Sequence, residues 1–327
     1  MKPSVSTRIY IQSYGRERYR DSVEIIEKLH QLGFEVLDFN FNWGIADNPD
    51  FILRGDDWQK KVERAAEAAR RIGVSFSQAH LPFIKGCCKQ CDPSFKIGGY
   101  EEYFNECMRR AYIACGMLGV KYVTAHPNTC KEFNFERKAT FDANRRYYDP
   151  YVELGIRNGV GTAFENMMPC LDASLPERFC QHYDELIELV DSYSDPMVGV
   201  CWDTGHANGM MLDQPQAIRK LGQRIKNLHI NDNNHCNRDE HLLPFMGSID
   251  WYSLMTALAD VSYSGDMTLE THVGQDAIGS LQEDMIRLSL KSAEFLIELF
   301  REAQSRLAVS SAGLPKPDCP CDGGCHE

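Results

Sequence analysis

Nowhere in the 327 residues does an apolar run approach the roughly 18 residues that a membrane span needs. The amino-terminal stretch MKPSVSTRIYIQSYG also lacks the apolar centre of a signal peptide, so the chain reads as a cytoplasmic protein with no membrane partner. Basic charge is scarce: 35 Lys and Arg stand against 47 Asp and Glu, for a net charge of −12. A field of that sign repels a phosphate backbone and disfavours nucleic acid as a partner, although a local basic patch can override the average. Missing too are a Walker loop, the glycine fingerprint of a dinucleotide fold and a nucleophile elbow, which removes nucleotide cofactors from the expectation. What remains, 43% hydrophobic and 25% charged, is the composition of a globular protein with a sizeable core.

Cysteine, by contrast, is plentiful. The chain has 13, an odd number without an export signal, which suits reduced thiols better than a disulfide framework. Two groups stand apart: Cys87, Cys88 and Cys91 in an expected lid loop, and Cys319, Cys321 and Cys325 with His326 at the end. Either could hold a metal through thiolates, but neither has the paired C-x-x-C spacing of a zinc module. Residues 309–327 are rich in Pro, Gly, Ser and Cys and are expected to form a disordered tail, leaving residues 1–308 as one domain.

The organisation shows in a recurring join. A helical pattern stops at a glycine and a β-rich run begins at once: QLGFEVLDF at Gly33, RIGVSFSQAH at Gly73, LGVKYVTAH at Gly119 and NGVGTAFEN at Gly159. Each reads as a helix C-cap feeding a strand. Helical periodicity appears in Ile25, Leu29 and Leu32, and again near the end, where Leu281, Met285, Leu288, Phe295 and Leu299 line one side of the last helix, the pattern of a helix packed on a core. Strands are expected at 8–13, 34–39, 74–79, 121–125, 160–164, 197–202, 225–230 and 265–269. Eight strands alternating with helices predict a single (β/α)8 barrel of the TIM type, with an open doubly wound sheet as the alternative. The spare length favours the barrel: it falls after strands, at 81–98, 127–142, 166–179 and 231–250, where catalytic loops belong.

The ends of these strands are unusually ionisable. His80, His126, Glu165, Asp203 with His206, His229 and Glu270 sit at or just beyond strand ends, and Asp239 and His241 follow in the loop after strand seven. A barrel gathers all such positions at one rim, so nine titratable side chains would converge. Any one of them alone reads as a loop cap. Together they describe a cluster of carboxylates whose mutual repulsion a divalent cation removes, and mixed carboxylate and imidazole donors suit Mn²⁺, Zn²⁺, Fe²⁺ or Co²⁺ better than Ca²⁺.

These residues resemble the xylose isomerase-like barrels, a superfamily of sugar isomerases, epimerases, inosose-processing enzymes and the endonuclease IV branch. The likeness spans about residues 8–300 and rests on FEN, CWDTGHAN, LHINDN, DEHLLPFMGSIDW and LETH. In the sugar-active branch it implies one divalent metal, Mn²⁺ before Zn²⁺, Co²⁺, Fe²⁺ or Mg²⁺, held by Glu165, Asp203, His229 and Glu270. The implied reaction is isomerisation or epimerisation of a sugar or polyol-derived hydroxy-carbonyl compound through an enediolate, with Glu165 and Glu270 as acid and base. His80, His126, His206 and Arg238 would bind substrate hydroxyls. Trp43 would wall the site or simply pack in the core. Homo-oligomers are common among such barrels, but the sequence carries no interface signature.

The same nine residues also match the three-zinc site of endonuclease IV enzymes, in which His80, His126, His206, Asp239 and His241 become additional metal ligands. A phosphodiesterase acting on abasic DNA is therefore the alternative, and a non-catalytic sugar-binding barrel is a further one. Net acidity argues against the nuclease, while Lys131, Arg137, Lys138, Arg145 and Arg146 in 131–146 argue for a contact with DNA or a sugar phosphate. Departures from the ketohexose 3-epimerases, Leu171 for an acid and His235 for an arginine, leave that specificity outside the expectation.

Overall fold

Four helix ends set the frame. In the computed structural model Gly33, Gly73, Gly119 and Gly159 all have positive φ, between 73° and 107°. Behind each, the next residue donates its N–H five residues back, as Phe34 to Leu29 (3.1 Å), Val74 to Ala69, Val120 to Cys115 and Val160 to Gly155 (2.9 Å each). This closure turns the chain from helix to strand within one residue, and only glycine enters that left-handed region without strain. The described residues are all except 11–19, 43, 46–47, 84–99, 130–135, 169–177, 236–237, 276, 278 and 313–327.

The elements run β1 (Pro3–Ser6), α1 (Ser22–Gln31), β2 (Val36–Asn40), α2 (Trp58–Ile72), β3 (Ser75–His80), α3 (Tyr100–Leu118), β4 (Tyr122–Ala125), α4 (Arg137–Arg157) and β5 (Gly161–Glu165). They continue with α5 (Tyr183–Asp191), β6 (Val198–Asp203), α6 (Thr204–Gly209), α7 (Gln214–Leu221), β7 (Ile225–His229), α8 (Trp251–Asp260), β8 (Met267–Leu269) and α9 (Ser280–Ala312). All strands are parallel, ordered β7-β6-β5-β4-β3-β2-β1-β8. A bridge between Ile230 and Leu269 brings the two outer strands together, with Ile230 N donating to Thr268 O at 2.8 Å and Glu270 N to Ile230 O at 3.0 Å. The result is a nearly closed TIM barrel. No helix among the described residues is long and apolar enough to cross a membrane.

Two expectations fail. The first strand is Pro3–Ser6, not 8–13; residues 7–10 form a short 3-10 turn and 11–19 lie outside the described residues. RIYIQS has the stronger β composition, but PSVS has the partners: Val5 pairs with Leu37 on one side and Leu269 on the other. On α9 the inner side is Ile286, Ser289, Ala293, Leu296, Phe300 and Ala303, all buried, whereas Leu281, Leu288 and Phe295 are 60%, 44% and 41% exposed. Of the expected inner residues Leu299 is buried. Small side chains, Ser289, Ala293 and Ala303, let α9 lie close to the barrel, while its outer side carries Leu281, Leu288 and Phe295 among charged residues such as Arg287, Lys291 and Glu294. The helix also runs through 309–312, which were assigned to the tail.

Alternate side chains of each strand point into the barrel. Contacts between non-adjacent strands identify the inward set: Gln78 Nε2 donates to Leu228 O (3.3 Å) and Asn227 Nδ2 to Thr124 Oγ1 (3.1 Å), crossing from β7 to β3 and β4. Beneath the rim the interior is thus a polar layer. Large apolar residues such as Leu37, Phe39, Phe164, Trp202 and Leu228 face outward into the helix layer.

Candidate active site

The rim is built by strands that end in donors. β3 closes on His80, β5 on Glu165, β6 on Asp203 and β7 on His229, while His126 and Glu270 follow β4 and β8 by one residue. Asp203 does two jobs. Its Oδ1 caps α6 by accepting His206 N at 2.7 Å, which places the His206 ring in the same cluster, and its Oδ2 accepts Asn231 Nδ2 at 3.0 Å. The capping and cluster readings of this acid are therefore both satisfied.

All nine expected residues meet. His229 Nδ1 lies 2.9 Å from Glu165 Oε1 and 3.2 Å from Glu270 Oε2. His126 Nε2 lies 2.9 Å from Glu165 Oε2 and 3.2 Å from His80 Nε2. His241 Nε2 is 2.9 Å, and His206 Nε2 3.7 Å, from Asp239 Oδ1. The donor atoms of Glu165, Asp203, His229 and Glu270 all fall within 4.8 Å of one another, as do those of His80, His126 and Glu165. Eight of the nine are buried or nearly so; Asp239 is 48% exposed. Arg238, beside it, is exposed and has no hydrogen bond or ion pair among the described residues.

Burial and crowding divide the acids. Burial would raise Glu165, but the rings of His229 and His126 outweigh it and hold this carboxyl well below the usual range. Burial, helped by the charges of Glu165 and Asp203, pushes Glu270 up to about 7 against the pull of His229 and His241. Asp203 is raised by burial and by Glu165. His80 is driven well down by burial and by His126, whereas His241 rises to about 10 because Asp239 overrides its burial. A cation fits this arrangement on its own merits. Three buried carboxylates converge on the lone-pair side of one imidazole, and Glu165 Oε2 accepts no well-aligned hydrogen bond even though His126 approaches. Metal–ligand bonds of about 2.0–2.2 Å place donor atoms at separations of this order.

Several supporting residues escape a reading of strand ends. Asn166 brackets Asp203, donating to its O at 2.9 Å and accepting its N at 2.6 Å, and its own carbonyl contacts His206 Nδ1 at 2.8 Å. Asp232 ties down the loop carrying Asp239 and His241 by accepting from Phe245 N, Ile249 N and Trp251 Nε1. Phe83 stacks on His126 with centroids 4.5 Å apart. Asn166, Asn231 and Asp232 lie in FEN and NDN, where they were legible as motif letters only. The basic segment dissolves: residues 137–146 belong to α4, with Arg137 paired to Glu188, Lys138 to Asp142 and Arg145 to Asp149. Lys131, Trp43, Leu171 and the Cys87–Cys91 and Cys319–Cys325 groups lie outside the described residues.

Comparison with known proteins agrees with the fold. The chain is 23% identical over 308 residues to a D-psicose 3-epimerase of Ruminiclostridium cellulolyticum, covering 92% of this chain and 95% of that protein. It is 35% identical over 98 residues to a D-psicose 3-epimerase of Enterocloster bolteae, covering 30% and 31%. More widely, matches to the first curated relatives span between 26% and 59% of those proteins' length. The crystal structure of a D-tagatose 3-epimerase-like protein superposes with a TM-score of 0.68 at 21% identity, covering 94% of this chain and 100% of that one. That of the IolI protein with a bound zinc atom superposes with a TM-score of 0.66 at 14% identity, covering 93% and 99%. The chain is thus related to sugar epimerases at low identity. A profile of the xylose isomerase-like TIM barrel family matches residues 26–298, and the chain belongs to that family.

Proposed function

We propose that the protein is a divalent-metal-dependent isomerase or epimerase acting on a sugar or polyol-derived hydroxy-carbonyl compound. One observation carries this reading: two buried glutamates flank the His229 imidazole, with Glu165 Oε1 at 2.9 Å and Glu270 Oε2 at 3.2 Å from its Nδ1, and with Asp203 they form a donor set for one cation between two carboxylates placed to move a proton. A cation bound by Glu165, Asp203, His229 and Glu270 would supply Lewis acidity that acidifies the C–H beside a carbonyl. Mn²⁺ is the first choice for this carboxylate-rich set, before Zn²⁺, Co²⁺, Fe²⁺ or Mg²⁺; that the IolI structure, of the same fold, holds a zinc atom supports a metal-binding barrel. Glu165 takes the proton, leaving the substrate as its enediolate. Isomerisation follows when that proton is handed to the neighbouring carbon; epimerisation follows when Glu270, protonated from solvent, gives a proton to the opposite face and Glu165 releases its own to solvent, which restores both carboxylates. His80, His126, His206 and Arg238 bind hydroxyls, and burial of Glu165 and Glu270 keeps bulk water from the transfer. The four described cysteines, Cys107, Cys115, Cys180 and Cys201, are buried free thiols, in keeping with a cytoplasmic location.

The test is solvent exchange. Incubated with Mn²⁺ and ketoses, aldoses and inososes in deuterated water, the protein should place deuterium at the carbon beside the carbonyl of at least one substrate. Glu270→Gln should lower that rate by about 10²–10⁴-fold. Tight sugar binding without exchange would replace the enzyme with a sugar-binding barrel. The second reading, a three-zinc phosphodiesterase acting on abasic DNA, draws support from the donor set His80–His126–Glu165 and from the approach of His206 and His241 to Asp239. Cleavage of an abasic duplex by a three-zinc form would favour it.

A further inference from the structure

A carboxylate no part of the above uses lies below the rim. Asp38, central in β2, is fully buried, and neither of its oxygens has a hydrogen-bond donor. Leu37 and Phe39 beside it enter the outer core, so alternation sends Asp38 into the barrel. Its Oδ2 lies 3.7 Å from Nε2 of His229, across the barrel on β7, and that nitrogen too has no hydrogen-bond partner. An unpaired acid in such a place costs several kcal/mol as a rule and persists where something needs it.

The two ring nitrogens of His229 face different tasks. Nδ1 points at Glu165 and Glu270, where a lone pair is wanted for a cation. Nε2 points at Asp38, which can only accept when ionised. A ring whose Nε2 carries the hydrogen leaves Nδ1 free to ligate, and a second-shell acceptor is the usual means of fixing that tautomer. We propose that Asp38 is the positioning residue of His229, holding its Nε2–H so that Nδ1 is presented as a metal ligand. A shift of about 0.7 Å at Nε2 closes the gap to hydrogen-bond length. Two amides of the adjacent polar layer are committed elsewhere, Gln78 to Leu228 O and Asn227 to Thr124 Oγ1.

The inference rests on the metal reading of the site, and two measurements separate them. In wild type, Co²⁺ titration should give a bound ion that His229→Ala abolishes; no binding at all would sink the metal reading itself. Asp38→Ala should then weaken Co²⁺ about 10- to 100-fold, and Asp38→Asn, whose Oδ1 still accepts from Nε2–H, should recover most of the loss. Independently of any metal, the His229 Nε2–H proton should be visible by NMR as a slowly exchanging downfield resonance that moves upfield or vanishes in Asp38→Ala. Should Asp38→Ala fold poorly by circular dichroism, Asp38→Leu, closer in volume and equally without an acceptor, carries the test through the same resonance. A folded Asp38→Ala or Asp38→Leu with unchanged affinity and an unchanged Nε2–H signal overturns the assignment and leaves Asp38 as filler.

Discussion

Cation binding at this rim should be strongly proton-linked. The perturbation is pH between 6 and 8. Glu270, raised to about 7 by burial and by Glu165 and Asp203, goes from about one-tenth ionised at pH 6 to about nine-tenths at pH 8, worth about tenfold in apparent affinity. His229 is held well above an ordinary imidazole, burial being outweighed by Cys201, Glu270 and Glu165 around it. It must surrender its Nδ1 proton to a cation, which adds up to about tenfold more per pH unit. The sign is the same for both groups: protons compete with the metal, so affinity rises with pH. Calorimetric titration of Mn²⁺ or Co²⁺ at pH 6, 7 and 8, repeated in buffers of different ionisation enthalpy, counts the protons released. The expected rise over the two units lies between about 10- and 1,000-fold, with at least one proton released at pH 6. In Glu270→Gln the rise should shrink by about tenfold. A flat profile, or an unaltered slope in that variant, would refute the placement of these groups around a shared cation.

Two further perturbations probe the frame. Asp232→Ala strips the acceptor from the buried Trp251 indole and from Phe245 N and Ile249 N, which are part-buried, and should cost about 2–3 kcal/mol in guanidinium unfolding; a loss under about 1 kcal/mol would mean that these donors find other acceptors. On α9, Leu288→Lys on the exposed stripe should change stability by no more than about 0.5 kcal/mol, while Ala293→Leu on the buried one should cost about 1–3 kcal/mol by overpacking. The reverse ranking would restore the leucine-lined face.

Locality decides what the sequence could tell. The glycine closures were legible because a helix end and a strand start share five residues, and the strand-end donors because a parallel barrel assigns them one address. The first strand was misplaced because its claim lies in pairing with Val36 to Asp38 and with Met267 to Leu269, hundreds of residues away on one side, whereas RIYIQS looked better locally. The α9 face was misread because Ser289 and Ala293 are inside by virtue of close approach, a property of the neighbours. Asp38 was invisible for the same reason: only the barrel's closure sets it against His229, 191 positions on in the chain order of β2 and β7. The basic residues of α4 were visible as charges, but their partners on α4 and α5 were not.

The donor sets also differ in ways that rank them. The first combines three buried carboxylates with one imidazole, and burial, then crowding, raises Asp203 and Glu270, so a cation there compensates the charges most costly to bury. The second borrows Glu165 and otherwise offers two neutral-leaning imidazoles, His80 and His126, both lowered by burial. A carboxylate shared by two cations gives each less charge, so this set should fill later. The third candidate, His206 and His241 beside the half-exposed Asp239, faces a carboxylate that water stabilises without any metal, and each ring must first lose a proton, held on His206 by Asp203 and Asp239 and on His241 by Asp239. It should fill last, and least below neutral pH. Metal content measured against free Zn²⁺ should therefore rise in separate steps, the first removed by Asp203→Ala, the last by His241→Ala alone. One step of Zn²⁺ or Mn²⁺ at physiological free concentration favours the isomerase. Three ions bound together with equal affinity would contradict this ranking and promote the phosphodiesterase.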